Sequence, residues 1–339
     1  MFYKLFRSIF FCLEAEKAHV VTFQLFDTLY RAGLLNLFFK KPPNHPVNVM
    51  GISFPNPVGI AAGLDKNGAH LDALGSLGFG FIEIGTVTPQ PQDGNVKPRL
   101  FRIPKHEALI NRMGFNNVGV KRLALNLLQS NYTGILGINI GKNANTSLEN
   151  AHKDYTFCLR ELYEFGDYFT INISSPNTNN LRKLQKKHML KELLEHVIKE
   201  RNISAKKLGI KKPLLVKLSP DLHYQELKDA TDIVTSLGIE GIIATNTTIS
   251  RCYLENHEHC DYQGGLSGKP LMKKSTDFLK QVSREVGQSA TIIGAGGVTS
   301  GEDALLKFRS GADLIQIYTG LIYNGPSLLR EILRKLSLR

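Results

Sequence analysis

A serine that ends a β-branched run is the first residue in this chain whose position invites chemistry. The segment 168–178 reads YFTINISSPNT, a strand pattern that stops in hydroxyl and carboxamide side chains around Ser175. Comparable polar tips close other β-branched runs. They supply Lys66 just past 58–64, Thr86 in 81–87, Asn139 in 134–141, Asn172, Ser175 and Asn177 around 168–175, Lys217 in 213–220, and Thr245, Asn246 and Thr247 in 241–248. Two lysines and several carboxamides, with hardly any acid besides Asp65 and Glu83, suit an anionic ligand rich in carbonyl and imide groups. No cluster of His, Asp and Glu gathers at these tips, which disfavours a catalytic metal. No tip histidine supports a Ser-His-Asp relay either, so Ser175 is expected to take up a proton rather than attack a carbonyl. A serine is a poor base unless the proton it takes becomes acidic as the reaction proceeds, and that requires an electron sink acting in concert.

Lys217 admits two readings. Desolvated inside a strand, it is placed to form a Schiff base, as in an aldolase. Left charged, it is placed to stabilise the anion that builds up on a reduced flavin ring. Two glycine sets, Gly296–Gly297 and Tyr318–Gly320, follow the last two strand-like runs. Where no Cβ intrudes, backbone N–H groups approach an oxyanion closely, and in a parallel barrel these two loops are the usual phosphate cradle. A phosphate cradle, imide-binding carboxamides and an internal lysine together fit FMN.

The elements that must position these residues follow from the rhythm of the chain after Pro46. Eight short β-branched runs, at 58–64, 81–87, 134–141, 168–175, 213–220, 241–248, 290–297 and 314–320, alternate with helical patterns such as Ser147–Phe165, Lys183–Arg201, Tyr224–Leu237, Met272–Val286 and Ser327–Leu336. Alternating strands and helices require parallel pairing with helical crossovers, and eight units predict a (β/α)8 TIM barrel. A doubly wound sheet would show GxGxxG after its first strand, and here the glycine set falls at the seventh. Two long insertions at the catalytic end, Asn111–Ser130 and Ile249–Lys269, are expected to build a lid.

Ahead of the barrel, residues 1–45 read as a separate helical segment. Phe2, Leu5, Phe6, Ile9, Phe10 and Leu13 recur at helical spacing, and a second helix is expected to begin near Glu14–Lys17 and to carry Val21, Phe23, Leu25, Phe26 and Leu29. Neither stretch has the ~20 uninterrupted apolar residues of a membrane span. Flanking Lys and Arg suit an interfacial anchor on an anionic membrane surface as well as a helix pair docked on the barrel.

Composition narrows the partners. The 339 residues carry a formal charge of +12, which favours anionic ligands, yet no basic run interleaved with aromatics tracks along the chain as a nucleic-acid groove would. The four cysteines, Cys12, Cys158, Cys252 and Cys260, lack CxxC spacing and suit a reducing compartment. Cys252, His257, His259 and Cys260 have ligand types without zinc spacing, so a surface loop is expected there.

Several of these segments are specific enough to name a family. AAGLDKNG at 61–68, EIGTVTPQPQ at 83–92, KPRLFR at 97–102, INRMGFNN at 110–117, GINIGKN at 137–143, NISSPNT at 172–178, ATNTT at 244–248 and GGLSG at 264–268 resemble dihydroorotate dehydrogenase. The resemblance runs over essentially the whole chain. It implies oxidation of (S)-dihydroorotate to orotate in pyrimidine biosynthesis, with FMN taking the hydride. By motif, it implies FMN contacts at Ala62, Gly63, Leu64, Asp65, Lys66, Thr86, Asn139, Asn172, Lys217, Thr245, Gly268, Gly297, Tyr318 and Thr319. It implies substrate contacts at Lys66, Asn111, Arg112, Met113, Gly114, Phe115, Asn172, Asn177, Asn246 and Thr247, with Ser175 abstracting the C5 proton while hydride leaves C6. Serine as base, together with the N-terminal extension, resembles the quinone-dependent, membrane-associated class, in which His19 and Arg102 match quinone-tunnel positions. The resemblance implies a membrane quinone as final electron acceptor. With no presequence ahead of the helices, a monomeric, bacterial-type protein peripheral to the cytoplasmic face of the inner membrane is expected.

Overall fold

In the computed structural model, the described residues are 2–35, 39, 42–252, 254 and 259–338, with the side chains of residues 2, 4 and 5 left aside. His257 of the Cys/His group lies outside them. Eight parallel strands close a barrel in strict chain order: β1 (Val58–Ile60), β2 (Phe81–Val87), β3 (Ile135–Ile140), β4 (Tyr168–Asn172), β5 (Leu214–Leu218), β6 (Gly241–Ala244), β7 (Thr291–Ala295) and β8 (Leu314–Ile317). β8 pairs with β1 and completes the cylinder. These strands are covered on both faces, which is why they read as apolar runs rather than alternating ones. All seven residues of β2 are buried. The outer ring includes Gly119–Gln129, Ala151–Leu162, Lys187–Leu208, Tyr224–Ser236, Met272–Val286, Gly301–Arg309 and Ser327–Ser337, each turning its apolar stripe inward.

The bottom of the barrel is plugged by aromatic rings. Phe54, Phe81 and Tyr168 pack edge to face, with centroids 5.3 and 6.3 Å apart. Phe81 and Tyr168 fit because the neighbouring strands carry Gly59 and Gly137: a Cβ there would come 2.3 Å from Phe81 and 2.1 Å from Tyr168. Phe54 arrives on a hairpin, Val47–Val49 with Ile52–Phe54, whose Met50 and Gly51 both hold positive φ.

Two features differ from the sequence expectation. The region Asn111–Ser130 is not one insertion, because Gly119–Gln129 is a regular helix of the outer ring. The true insertion lies earlier. Strands Leu100–Ile103 and Ala108–Asn111 pair with Gly265–Gly268 as a three-stranded antiparallel sheet. This sheet ties the chain after β2 to the chain after β6, across the mouth.

The N-terminal helices form as expected, α1 over Phe2–Phe11 and α2 over Ala15–Arg31, with the Glu14 carboxylate capping the N–H groups of Glu16 and Lys17. Both dock on the barrel. Tyr3 donates to the Ile322 carbonyl at 2.7 Å, Arg7 to the Tyr323 carbonyl at 2.8 Å, and Arg102 to the carbonyls of Phe10 and Leu13. Glu16 meets Arg99 through two hydrogen bonds, of 2.7 and 3.1 Å, and Asp27 meets His70 at 2.7 Å. Docking leaves Phe6, Ile9, Val20, Leu25, Tyr30 and Leu34 exposed.

Candidate functional site

The carboxyl ends of the strands open into a cavity beneath the three-stranded sheet. β1 and its tip supply Ala61, Ala62, Gly63 and Lys66; β2 supplies Thr86; β4 supplies Asn172, Ser175 and Asn177; β5 supplies Lys217; and the β6 tip supplies Thr245, Asn246 and Thr247. The lid sheet adds Asn111, Ser267 and Gly268, the turn after it Met113, Gly114 and Phe115, and the segments following the last two strands add Gly296, Gly297, Tyr318, Thr319 and Gly320.

The carboxamides are not independent turn residues. Asn172 Nδ2 donates to Thr86 Oγ1 at 2.8 Å and to Asn139 Oδ1 at 3.1 Å, and Asn139 Nδ2 donates to Glu83 at 2.8 Å. On the other side Asn246 Nδ2 donates to Ser174 Oγ at 3.0 Å, and Asn177 Nδ2 donates to Asn111 Oδ1 at 3.0 Å. Glu83 anchors this network below the cavity floor. It is wholly buried and accepts from Asn139, Tyr168, Thr170 and Gln316. Each pair fixes the rotamer of the next, so the polar rim is presented rigidly.

Four sequence-predicted contacts stand behind the lining rather than in it. Asn139 lies a layer beneath Thr86 and Asn172, at 0% exposure. Leu64 packs into the core, and Asp65 accepts the N–H groups of Asn67, Ala69 and His70 to hold the loop that carries Lys66. Arg112 donates twice to the Pro98 carbonyl and lies over Phe101, with its guanidinium 5.4 Å from the ring centroid. These four support the site from outside. His19 and Arg102 are likewise absent from the lining. His19 packs against Phe23 on α2, with ring centroids 4.7 Å apart and tilted by 58°, and burial with Lys66 and His70 nearby pushes its pKa down to about 3.

Sequence reading missed Ser267, whose hydroxyl lies 2.8 Å from Thr319 Oγ1, and Gln316 on the floor. Gln316 sits inside an apolar strand, and a polar residue in that setting is the one signal that marks it.

Among the described residues, several groups lack a hydrogen-bond partner where a ligand would supply one. Lys217 is 6% exposed, lines the cavity and has Glu83 as its compensating charge, while burial lowers its pKa. Gln316 Oε1 is buried with no hydrogen-bond partner. Glycine is required at the cradle: a Cβ on Gly297 would come 2.3 Å from Met272 Cα, and one on Gly268 would come 2.2 Å from the Glu107 carbonyl. The N–H groups of Thr319 and Gly320 open the helix Thr319–Asn324 and find no acceptor within it.

Ser175 is 7% exposed, and among the described residues its Oγ accepts only the Asn177 N–H, at 3.3 Å. Three residues on, Thr178 Oγ1 is buried and unpartnered. Lys66 donates to the Gly63 carbonyl at 3.0 Å, and burial pushes its pKa down to about 8 against the pull of Glu16. Away from the cavity, His152, Glu192 and His196 bring three ligand-type side chains together on the outer helices. Their imidazoles stack at 4.2 Å with an interplanar angle of 27°, so the in-plane lone pairs run side by side rather than converging.

Known proteins match both the sequence and this geometry. Residues 45–339 match the model of the family described as dihydroorotate dehydrogenase. The chain belongs to the dihydroorotate dehydrogenase family. It is similar to the dihydroorotate dehydrogenase (quinone) of Chromobacterium violaceum, with 51% identity over 98% of this chain and 97% of that one. The dihydroorotate dehydrogenase (quinone) of Legionella pneumophila (strain Corby) is 52% identical, with 99% of each chain covered. Among solved structures, the dihydroorotate dehydrogenase of Eimeria tenella in complex with ferulenol is similar at a TM-score of 0.86 and 34% identity, covering 95% of this chain and 90% of that one. The barrel expected from the alternating runs is thus the family's fold.

Proposed function

We propose that this enzyme of the dihydroorotate dehydrogenase family oxidises (S)-dihydroorotate to orotate on FMN and passes the electrons to a membrane quinone. The observation that carries this reading is the convergence, in one cavity, of an unrelayed serine, a ring of fixed asparagines and two lysines of different setting. FMN fits the residues present: the glycine cradle would hold its phosphate, Lys217 and Gln316 would face its ring system, and Thr86, Asn172 and Thr245 would line its edge. When bound, FMN supplies the hydride acceptor.

The chain's own residues do the rest. Lys66 binds the substrate carboxylate, and Asn111, Asn172, Asn177 and Asn246 hydrogen-bond the ring amides; each carboxamide offers both a donor and an acceptor, as an imide ring requires. Ser175 Oγ receives the C5 proton. Among the described residues no carboxylate or imidazole is bonded to that hydroxyl, so its basicity is needed only at the moment the C–H becomes acidic. A water between Ser175 and the orphan Thr178 hydroxyl would carry the proton away. The sheet over the mouth excludes bulk water and strengthens every one of these contacts.

The charge on Lys66 sets a pH dependence. Its pKa is lowered by burial to about 8, so the ammonium form that attracts a carboxylate is present below that value and is lost above it. Orotate affinity is therefore expected to fall with rising pH above about 8, up to tenfold per pH unit. Lys66→Met should abolish the slope. A flat profile in the unmutated enzyme would remove Lys66 from carboxylate binding.

Residues 1–45 are proposed as the quinone-delivery segment. Supporting this, α1 and α2 turn Tyr3, Arg7, Phe11 and Phe23 toward the barrel and leave Phe6, Ile9, Val20 and Leu25 outward, as an interfacial anchor would. None of the described helices is long and apolar enough to cross a membrane. His19 and Arg102 are assigned to the quinone path as proposals. Deleting residues 1–40 should spare the reduction of bound flavin by dihydroorotate and impair the reduction of added quinone in lipid vesicles. Equal loss of both half-reactions would show that the helices serve only to stabilise the barrel.

A further inference from the structure

Behind the glycine cradle lies a buried cation that none of the steps above uses. Lys307, on the helix Gly301–Arg309, is 0% exposed, and its Nζ donates to Ser275 Oγ at 2.6 Å. Ser275, on the helix Met272–Val286, is equally buried. Its hydroxyl reaches the Gly296 carbonyl at 2.8 Å and the Met272 carbonyl at 3.1 Å, so the shorter bond runs toward the cradle. The Gly296 carbonyl and the Gly297 N–H are two ends of one peptide group, and that bond is not among the cis ones. In a trans peptide the N–H points opposite to the C=O and so away from Ser275, and both Gly296 and Gly297 line the cavity.

A buried ammonium ordinarily requires a partner of opposite charge. Among the described residues no carboxylate forms an ion pair with Lys307. Asp303, on its own helix, is engaged by the Thr299 N–H and hydroxyl, and Asp277, on the neighbouring helix, is engaged by Lys273, so both act on Lys307 only from a distance. A phosphate in the cradle would be the missing counter-charge, reached through two hydrogen bonds and one peptide. Each bond in such a chain polarises the next.

We propose that Lys307 and Ser275 form a buried relay that polarises the Gly296–Gly297 peptide and strengthens its N–H as a donor to the cofactor phosphate. The relay rests on the FMN reading of the cavity. Lys307 is a positioning residue here, since it acts through Ser275 and touches neither substrate nor cofactor. Burial holds its pKa near 7, so the approach of an anion is enough to keep it charged at neutral pH.

The test compares FMN with riboflavin, which has the same ring system without the phosphate, by fluorescence titration of the flavin-stripped full chain. Lys307→Met and Ser275→Ala should each weaken FMN binding by about tenfold and leave riboflavin binding within about twofold. The preference of the unmutated protein for FMN should also decline as pH rises through 7 and above, and Lys307→Met should be flat over that range. Should the methionine variant fail to fold, Ser275→Ala carries the same test, since it deletes only a hydroxyl; melting temperatures verify both. An unchanged FMN-to-riboflavin ratio in a folded variant overturns the relay and leaves the FMN reading standing. If the unmutated chain binds neither flavin, the cofactor reading falls and the relay falls with it.

Discussion

Ser175→Ala is expected to slow the bleaching of enzyme-bound flavin by dihydroorotate by about 10²–10⁴-fold, the range that one positioned proton acceptor contributes. The expectation has a structural basis. Ser175 Oγ lines the cavity at the tip of β4 between Asn172 and Asn177, whose carboxamides are held in place by Thr86 and Asn111 and are not proton acceptors. Among the described residues no carboxylate or imidazole is bonded to that hydroxyl and could take its place. The variant should still bind FMN and should be yellow, because the deleted hydroxyl holds nothing but the Asn177 N–H, at 3.3 Å. Ser175→Cys should retain part of the rate, since a thiol also accepts a proton. Stopped-flow absorbance under anaerobic conditions measures all three. An alanine variant that bleaches at the unmutated rate would remove Ser175 from the chemistry.

Lys217→Met should have the second large effect, a loss of about 10²–10³-fold in flavin reduction together with weaker FMN binding, as when one preorganised donor is deleted from a dry site. The side chain is nearly buried and lines the cavity, and among the described residues no carboxylate is bonded to it; Glu83 lies below, already held by four donors. Its cationic field is therefore directed at whatever fills the cavity. Because Glu83 keeps its hydrogen bonds, the methionine variant should fold, and a melting curve checks that. The competing chemistry for this lysine, a Schiff base, makes a different forecast: borohydride added with substrate would trap a covalent adduct on Lys217. The flavin reading predicts no adduct and a lowered flavin midpoint potential in the methionine variant.

The barrel was legible because parallel strands buried on both faces leave apolar runs of characteristic length, and because each run ends in side chains that no core would accept. Ser175, Lys217 and Asn246 could be located at strand tips for that reason. Elements built by distant pairing were not legible. The lid sheet joins Ala108–Asn111 to Gly265–Gly268, and nothing local to either segment announces the other. Lacking that pairing, the region 111–130 reads as a loop, although Gly119–Gln129 is one of the ring helices. The hairpin at 47–54 is short and follows a proline-rich stretch, so its role as the barrel's floor emerges only from the packing of Phe54 on Phe81. Motif matching also cannot separate a residue that touches a ligand from one that holds its neighbour. Asp65 and Asn139 share their motifs with lining residues and lie behind them, where they fix the Lys66 loop and the Asn172 carboxamide. Lys307 carries no sequence signal at all: on an amphipathic helix it reads as one more surface lysine, and only its 0% exposure singles it out.

The most direct measurement is an anaerobic titration of the purified full chain with (S)-dihydroorotate, followed by a pulse of quinone. Bound flavin should bleach with formation of one orotate per flavin, and its colour should return when quinone is added. A preparation that binds FMN and keeps its colour in excess dihydroorotate would contradict the proposed reaction.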